Sequence, residues 1–121
     1  MRYASEAYAK TAKQVSDPRK LEAELLLKAA ARLQAVRDTW SDEPKGLGEA
    51  LHYNRRLWTV FLDAVLKDDN RLPVDVRENI ANIGMFIMGE TFSLMTKPKP
   101  EHLTPIININ RSIAAGLRGK N

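Results

Sequence analysis

The sequence contains no cysteine, and that absence removes disulfides, thiol nucleophiles, redox pairs and every thiolate zinc site at once. Imidazoles are almost as scarce. His52 and His102 are the only two, so most hydrolytic and metal chemistry lacks its usual parts. None of the serines sits in a Gly-x-Ser-x-Gly turn or beside a histidine, where a base could activate it. The six glycines, at 46, 48, 84, 89, 116 and 119, are scattered without the spacing of a phosphate-cradling loop. These absences predict a protein that is not an enzyme and uses no cofactor. Long hydrophobic runs are missing too. The longest charge-free stretch, Asn79 to Gly89, falls far short of the roughly 20 apolar residues that span a bilayer. The opening Met1-Arg2-Tyr3-Ala4-Ser5-Glu6 has no apolar segment after it and does not read as a secretory signal.

What is present is 121 residues, 44% hydrophobic and 28% charged with a formal charge of +4, which describes one soluble globular domain over residues 1–121. The positive excess is dispersed. Residues 1–40 hold eight Lys/Arg against five Asp/Glu, residues 41–72 five against six, and residues 73–121 six against four. No run of five basic residues occurs, so the balance reads as a mixed-charge solvated surface rather than a nucleic-acid footprint.

Apolar spacing follows the helical period throughout. Ala4, Tyr8, Ala12 and Val15 predict a short N-terminal helix with a thin stripe. Asp17-Pro18 then supplies a cap followed by a first-position proline. From Pro18 to Trp40, Leu21, Leu25, Ala29, Leu33 and Val36 hold one face, and Leu26, Leu27, Ala30 and Ala31 widen the apolar arc, which predicts a helix between several neighbours. Ser41 to Gly48, with Pro44, Gly46 and Gly48, predicts a loop. Leu47 to about Lys67 is a third helix, carrying Leu51, Trp58, Phe61, Leu62 and Val65 on one stripe. Pro73 opens a fourth, to about Thr96, with Val76, Ile80, Ile83, Ile87 and Leu94 on one face and Met85, Met88, Phe92 and Met95 on another. Two apolar faces predict a central position. Lys97-Pro98-Lys99-Pro100 stops it, and a last helix starts at the cap-then-proline pair Thr104-Pro105 with Ile106, Ile109, Ile113 and Leu117. The fold class is all-α: a compact bundle of four to five helices with short connections.

Candidate sites are few. Glu49 and His52 make one Glu-x-x-His step, but a di-metal bundle needs two such steps and two more carboxylates, so no metal site is expected. His102 reads as a solvated loop residue. Tyr53-Asn54-Arg55-Arg56-Leu57-Trp58 combines aromatic and basic groups that suit phosphates and a stacked base, although Trp58 falls on the apolar stripe and Arg55 and Arg56 suit a solvated flank. The flexible thioethers of Met85 and Met88 suit a surface that accepts amphipathic helices of varied sequence, or else pack an ordinary core. Asn108 and Asn110 interrupt an isoleucine run; they either face solvent or hold a polar contact between helices.

Four strings, LLLKAAARLQAVRDTW from Leu25, YNRRLWTVFLDAV from Tyr53, NRLPVDVRENIANIGMFIM from Asn70 and LTPIININRSIAAGLRG from Leu103, together resemble the FlaF family, flagellar biosynthesis regulators of alphaproteobacteria. The resemblance covers nearly the whole chain in order. It implies a cytoplasmic, non-enzymatic protein that binds flagellin as a secretion chaperone and promotes its synthesis and export, with FlbT as a further partner. An alternative is post-transcriptional control of flagellin expression, exerted on messenger RNA directly or through FlbT. The partner segment would be an amphipathic terminal segment of flagellin, with no direct nucleic-acid binding and no membrane insertion. The family's recurring positions present here are Tyr53, Asn54, Arg55, Trp58, Asn108, Asn110 and Arg111, which join Met85 and Met88 as the expected partner-binding residues.

Overall fold

A computed structural model of the chain describes residues 18–119; the expected N-terminal helix over Ala4–Val15 and the Asp17 cap lie outside the described residues. Four α-helices follow one another: α1 Pro18–Asp38, α2 Leu47–Val65, α3 Val74–Thr96 and α4 Leu103–Leu117, with a single 3-10 turn, Pro100–His102, leading into α4. No strand occurs among the described residues, so the all-α class stands. The isoleucines of the last segment are helical because Ile106, Ile107, Asn110 and Ala114 share one buried face, which a period-2 strand could not produce.

Each boundary has a local cause. Gly46 ends the first connection with φ +79°, a left-handed conformation that favours glycine, and its carbonyl accepts the N–H of Ala50 at 2.9 Å. Asn70 closes the second: its Nδ2 donates to the Ala64 carbonyl at 3.0 Å and its Oδ1 accepts from the Leu72 N–H at 2.9 Å. The Lys97–Pro100 segment ends α3 as expected. Thr104, however, is no cap. α4 starts one residue earlier, at Leu103, and the Thr104 hydroxyl accepts from Arg37 Nη1 at 2.8 Å, tying the start of α4 to the end of α1.

α1 packs along α4 and α2, and α2 packs against both α1 and α3, while α3 touches α4 only marginally. The wide apolar arc of α1 thus has the two neighbours it called for. The core is aliphatic around Trp58, with Leu26, Leu33, Leu51, Ile87, Leu94, Leu103, Ile106 and Ile107 fully buried. Its one aromatic pair sets Trp58 edge-on to Phe61 at 5.4 Å between centroids.

The expected central position of the Pro73–Thr96 helix is corrected by the structure. Only the row Ile80, Gly84, Ile87, Thr91 and Leu94 is buried. Met85, Phe86, Phe92 and Met95 are exposed, because α3 lies at the edge of the bundle. Gly84 sits where it does for a reason of space: a Cβ there would lie 2.6 Å from Leu62 Cδ1. α3 therefore meets α2 so closely that a side chain at this position would have to displace the end of Leu62.

Candidate functional site

Eight of the nine nominated residues fall in three places, and the ninth, Met85, is exposed on α3 outside all of them. Asn54, Trp58 and Asn110 are fully buried, which corrects their expected place on a partner-binding surface. They form one network across three helices: Trp58 Nε1 donates to Asn110 Oδ1 at 2.9 Å, and Asn110 Nδ2 donates to Asn54 Oδ1 at 2.7 Å and to the Leu26 carbonyl at 3.3 Å. Of the two readings open for Asn110, the contact between helices is the one observed.

Asn108 and Arg111 are exposed on α4, away from the other candidates, where Arg111 Nη2 lies 3.4 Å from Gln34 Oε1 of α1. Gln34 Oε1 also accepts from Arg37 Nη2 at 2.8 Å, so this face is a polar seam between α1 and α4.

Tyr53, Arg55 and Met88 come together. They line a broad groove of about 1050 Å³ that crosses α2 between α1 and α3. Its apolar floor includes Leu25, Leu57, Val60 and Ala64, and its edges carry both signs of charge, among them Arg32, Arg56, Asp63 and Lys67. Val60 stands out because it is half exposed in the middle of this surface. The Tyr53 ring is already occupied. Arg32 lies over it with Cζ 4.3 Å from the centroid, and Lys28 Nζ is 6.0 Å away, so no face is free to stack a nucleobase on the side these cations cover. Val60 and Leu57 were missed in the sequence because they flank the core stripe of α2 rather than lie on it. A second sign was available: with Tyr53 and Ala64 they repeat at i, i+4, i+7 and i+11, a helical row of their own.

Among the described residues no group of three or more His, Asp or Glu is arranged to hold a metal ion, and Glu49 and His52 are both exposed. His102 is not merely solvated: its Nδ1 lies 2.9 Å from Glu90 Oε2 and joins the 3-10 turn to α3.

Family comparison agrees with the resemblance of the four strings. A family model described as "Flagellar protein FlaF" matches residues 4–117. The chain belongs to the FlaF family. It is therefore a flagellar protein, and the FlaF match includes all four helices and the groove they build. Comparison with curated proteins gave no match, nor did comparison with solved structures. Among the described residues of this FlaF-family chain, no helix is long and apolar enough to cross a membrane.

Proposed function

We propose that this FlaF-family protein is a cytoplasmic, non-enzymatic secretion chaperone that binds an amphipathic terminal segment of flagellin and so promotes flagellin synthesis and export, in concert with FlbT. The groove over α2 is the observation that carries this reading. Among the described residues it is open to solvent along its length, and its apolar floor between charged edges suits one face of a helix. Unassembled flagellin has to keep such a face covered until export, and the cover has to come off again. A surface groove does this without unfolding either partner.

Co-expression with flagellin followed by size exclusion tests the reading. The two chains are expected to co-elute, and Val60→Asp, which sets a carboxylate in the middle of the apolar floor, is expected to abolish co-elution while leaving the thermal midpoint unchanged. Separate elution of the unmodified chains overturns the chaperone reading; co-elution that survives Val60→Asp overturns the groove as its site.

A further inference from the structure

The groove over α2 has a direction, fixed by its neighbours and by its charges. Arg32, six residues before the end of α1, lies over Tyr53, six residues after the start of α2, so the two helices run antiparallel. Glu22, ten residues before Arg32, therefore shares an end of the groove with Asp63, ten residues after Tyr53, and all four line it. Along α2 the lining charges read Glu49 negative, Arg55 and Arg56 positive, Asp63 negative and Lys67 positive. Tyr53, Leu57, Val60 and Ala64 form the apolar row between them.

The chain enters at the Glu22 end, since Glu22 stands one turn beyond Pro18, where α1 starts. Residues 1–17, outside the described residues, carry charges in the complementary order: Arg2 positive, Glu6 negative, Lys10 and Lys13 positive, Asp17 negative. Glu6, Lys13 and Asp17 are spaced by 7 and 4 residues, and so are Arg56, Asp63 and Lys67, with every sign reversed. The apolar spacing agrees. Ala4, Tyr8, Ala12 and Val15 run over the same 12 residues, roughly 18 Å of helix, as the row from Tyr53 to Ala64. The offset of 49 that aligns the ends of the two rows is within one residue of the 50 that pairs the charges. Small side chains then meet large ones, Ala4 on Tyr53 and Ala12 on Val60.

We propose that residues 2–15 dock as a helix in the groove of the same chain, parallel to α2, and that a flagellin segment enters by displacing them. Connectivity demands that direction, because Ser16-Asp17 has to lead from the docked segment into α1 at the Glu22 end. The charges choose it independently. Run the other way, the segment would set Asp17 against Glu49, Lys13 against Arg55 and Arg56, Glu6 against Asp63 and Arg2 against Lys67, all of like sign. Asp63 and Lys67 are 3.7 Å apart, an exposed pair worth little alone that leaves both able to face a second helix. A tether of two residues holds the segment beside the groove at an effective concentration on the order of millimolar, so flagellin affinity is lowered by the fraction of grooves left open. The displacement rests on the chaperone reading; the docking does not.

Zero-length carbodiimide coupling of lysine amines to carboxylates, read by mass spectrometry on the full chain, tests the docking. The diagnostic link is Glu6 to Lys28, because Lys28 Nζ lies 6.0 Å from the Tyr53 ring, far along the groove from where the chain enters. It is expected within single chains in a mixture of light and heavy isotope copies. Tyr8→Asp, which sets a carboxylate on the apolar row, is expected to weaken the link severalfold and to tighten binding of a flagellin terminal segment about tenfold. The thermal midpoint stays unchanged, because docking is a local equilibrium beside the folded core. Absence of the Glu6–Lys28 link, or its formation only between copies, overturns the docking, and a link indifferent to Tyr8→Asp overturns its register. Flagellin affinity unchanged or weakened by Tyr8→Asp overturns the displacement. The link without flagellin binding in either form refutes the chaperone reading and leaves the docking standing; flagellin binding without the link does the reverse.

Discussion

Trp58 Nε1 can only donate, and that one restriction orients three side chains. Asn110 has to present Oδ1 to it, which turns Asn110 Nδ2 toward Asn54, which must then present its own Oδ1. Asn54 Nδ2 is left buried without a hydrogen-bond partner. The two asparagines are therefore unequal. Asn110→Ala strips Trp58 Nε1 and Asn54 Oδ1 of partners, at about 1–3 kcal/mol for each group left unsatisfied. Asn54→Ala removes the orphaned donor together with its carbonyl, and Asn110 Nδ2 keeps the Leu26 carbonyl. Chemical denaturation is expected to find Asn110→Ala clearly the more destabilising of the two; the reverse order contradicts the assigned network. At this scale the sequence was only partly legible. Polar residues at helical positions do not announce whether they face water, and Asn54 and Trp58 share a string with Arg55, which is exposed. For Asn110 the isoleucines around it left two readings open, because Asn108 stands among the same isoleucines and is exposed.

For whole helices the periodicity was legible and the arrangement less so. Ends fell within one or two residues of the punctuation by Gly46, Pro73 and Lys97–Pro100, because proline and a left-handed glycine act through local geometry alone. The position of α3 was not local. Its two apolar rows are similar in hydropathy, and what separates them is size: the row holding Gly84 and Thr91 lets α2 come close, while the row holding Met85 and Phe92 does not. Gly84→Leu is accordingly expected to push α3 away from Leu62, costing about 1–3 kcal/mol in denaturation. An unchanged stability would mean that the contact yields freely. The 3-10 turn is the remaining tie at this edge, where His102 meets Glu90 of α3.

Among the described residues the bundle is built on α1, which packs along both α4 and α2, and α3 is held mainly by α2 and leaves one side open. Its apolar surface is more than its own core uses, and the surplus is divided between the groove over α2 and the outer row of α3. Two of its basic residues are held within the bundle, Arg32 over the Tyr53 ring and Arg37 by hydrogen bonds to Thr104 and Gln34. Binding by such a surface depends on area removed from water and carries a negative heat-capacity change. It responds weakly to salt, whereas a protein neutralising about six phosphates loses affinity about a thousandfold between 50 and 200 mM salt.

The proposed role is an apolar contact with flagellin, made through the groove over α2. Isothermal titration of the full chain with a flagellin terminal segment, at low and moderate salt and at two temperatures, addresses it most directly. The expected result is micromolar or tighter binding with a negative heat-capacity change, nearly indifferent to salt and lost in Val60→Asp. No heat of binding, or an affinity that collapses with salt while Val60→Asp binds normally, would contradict it.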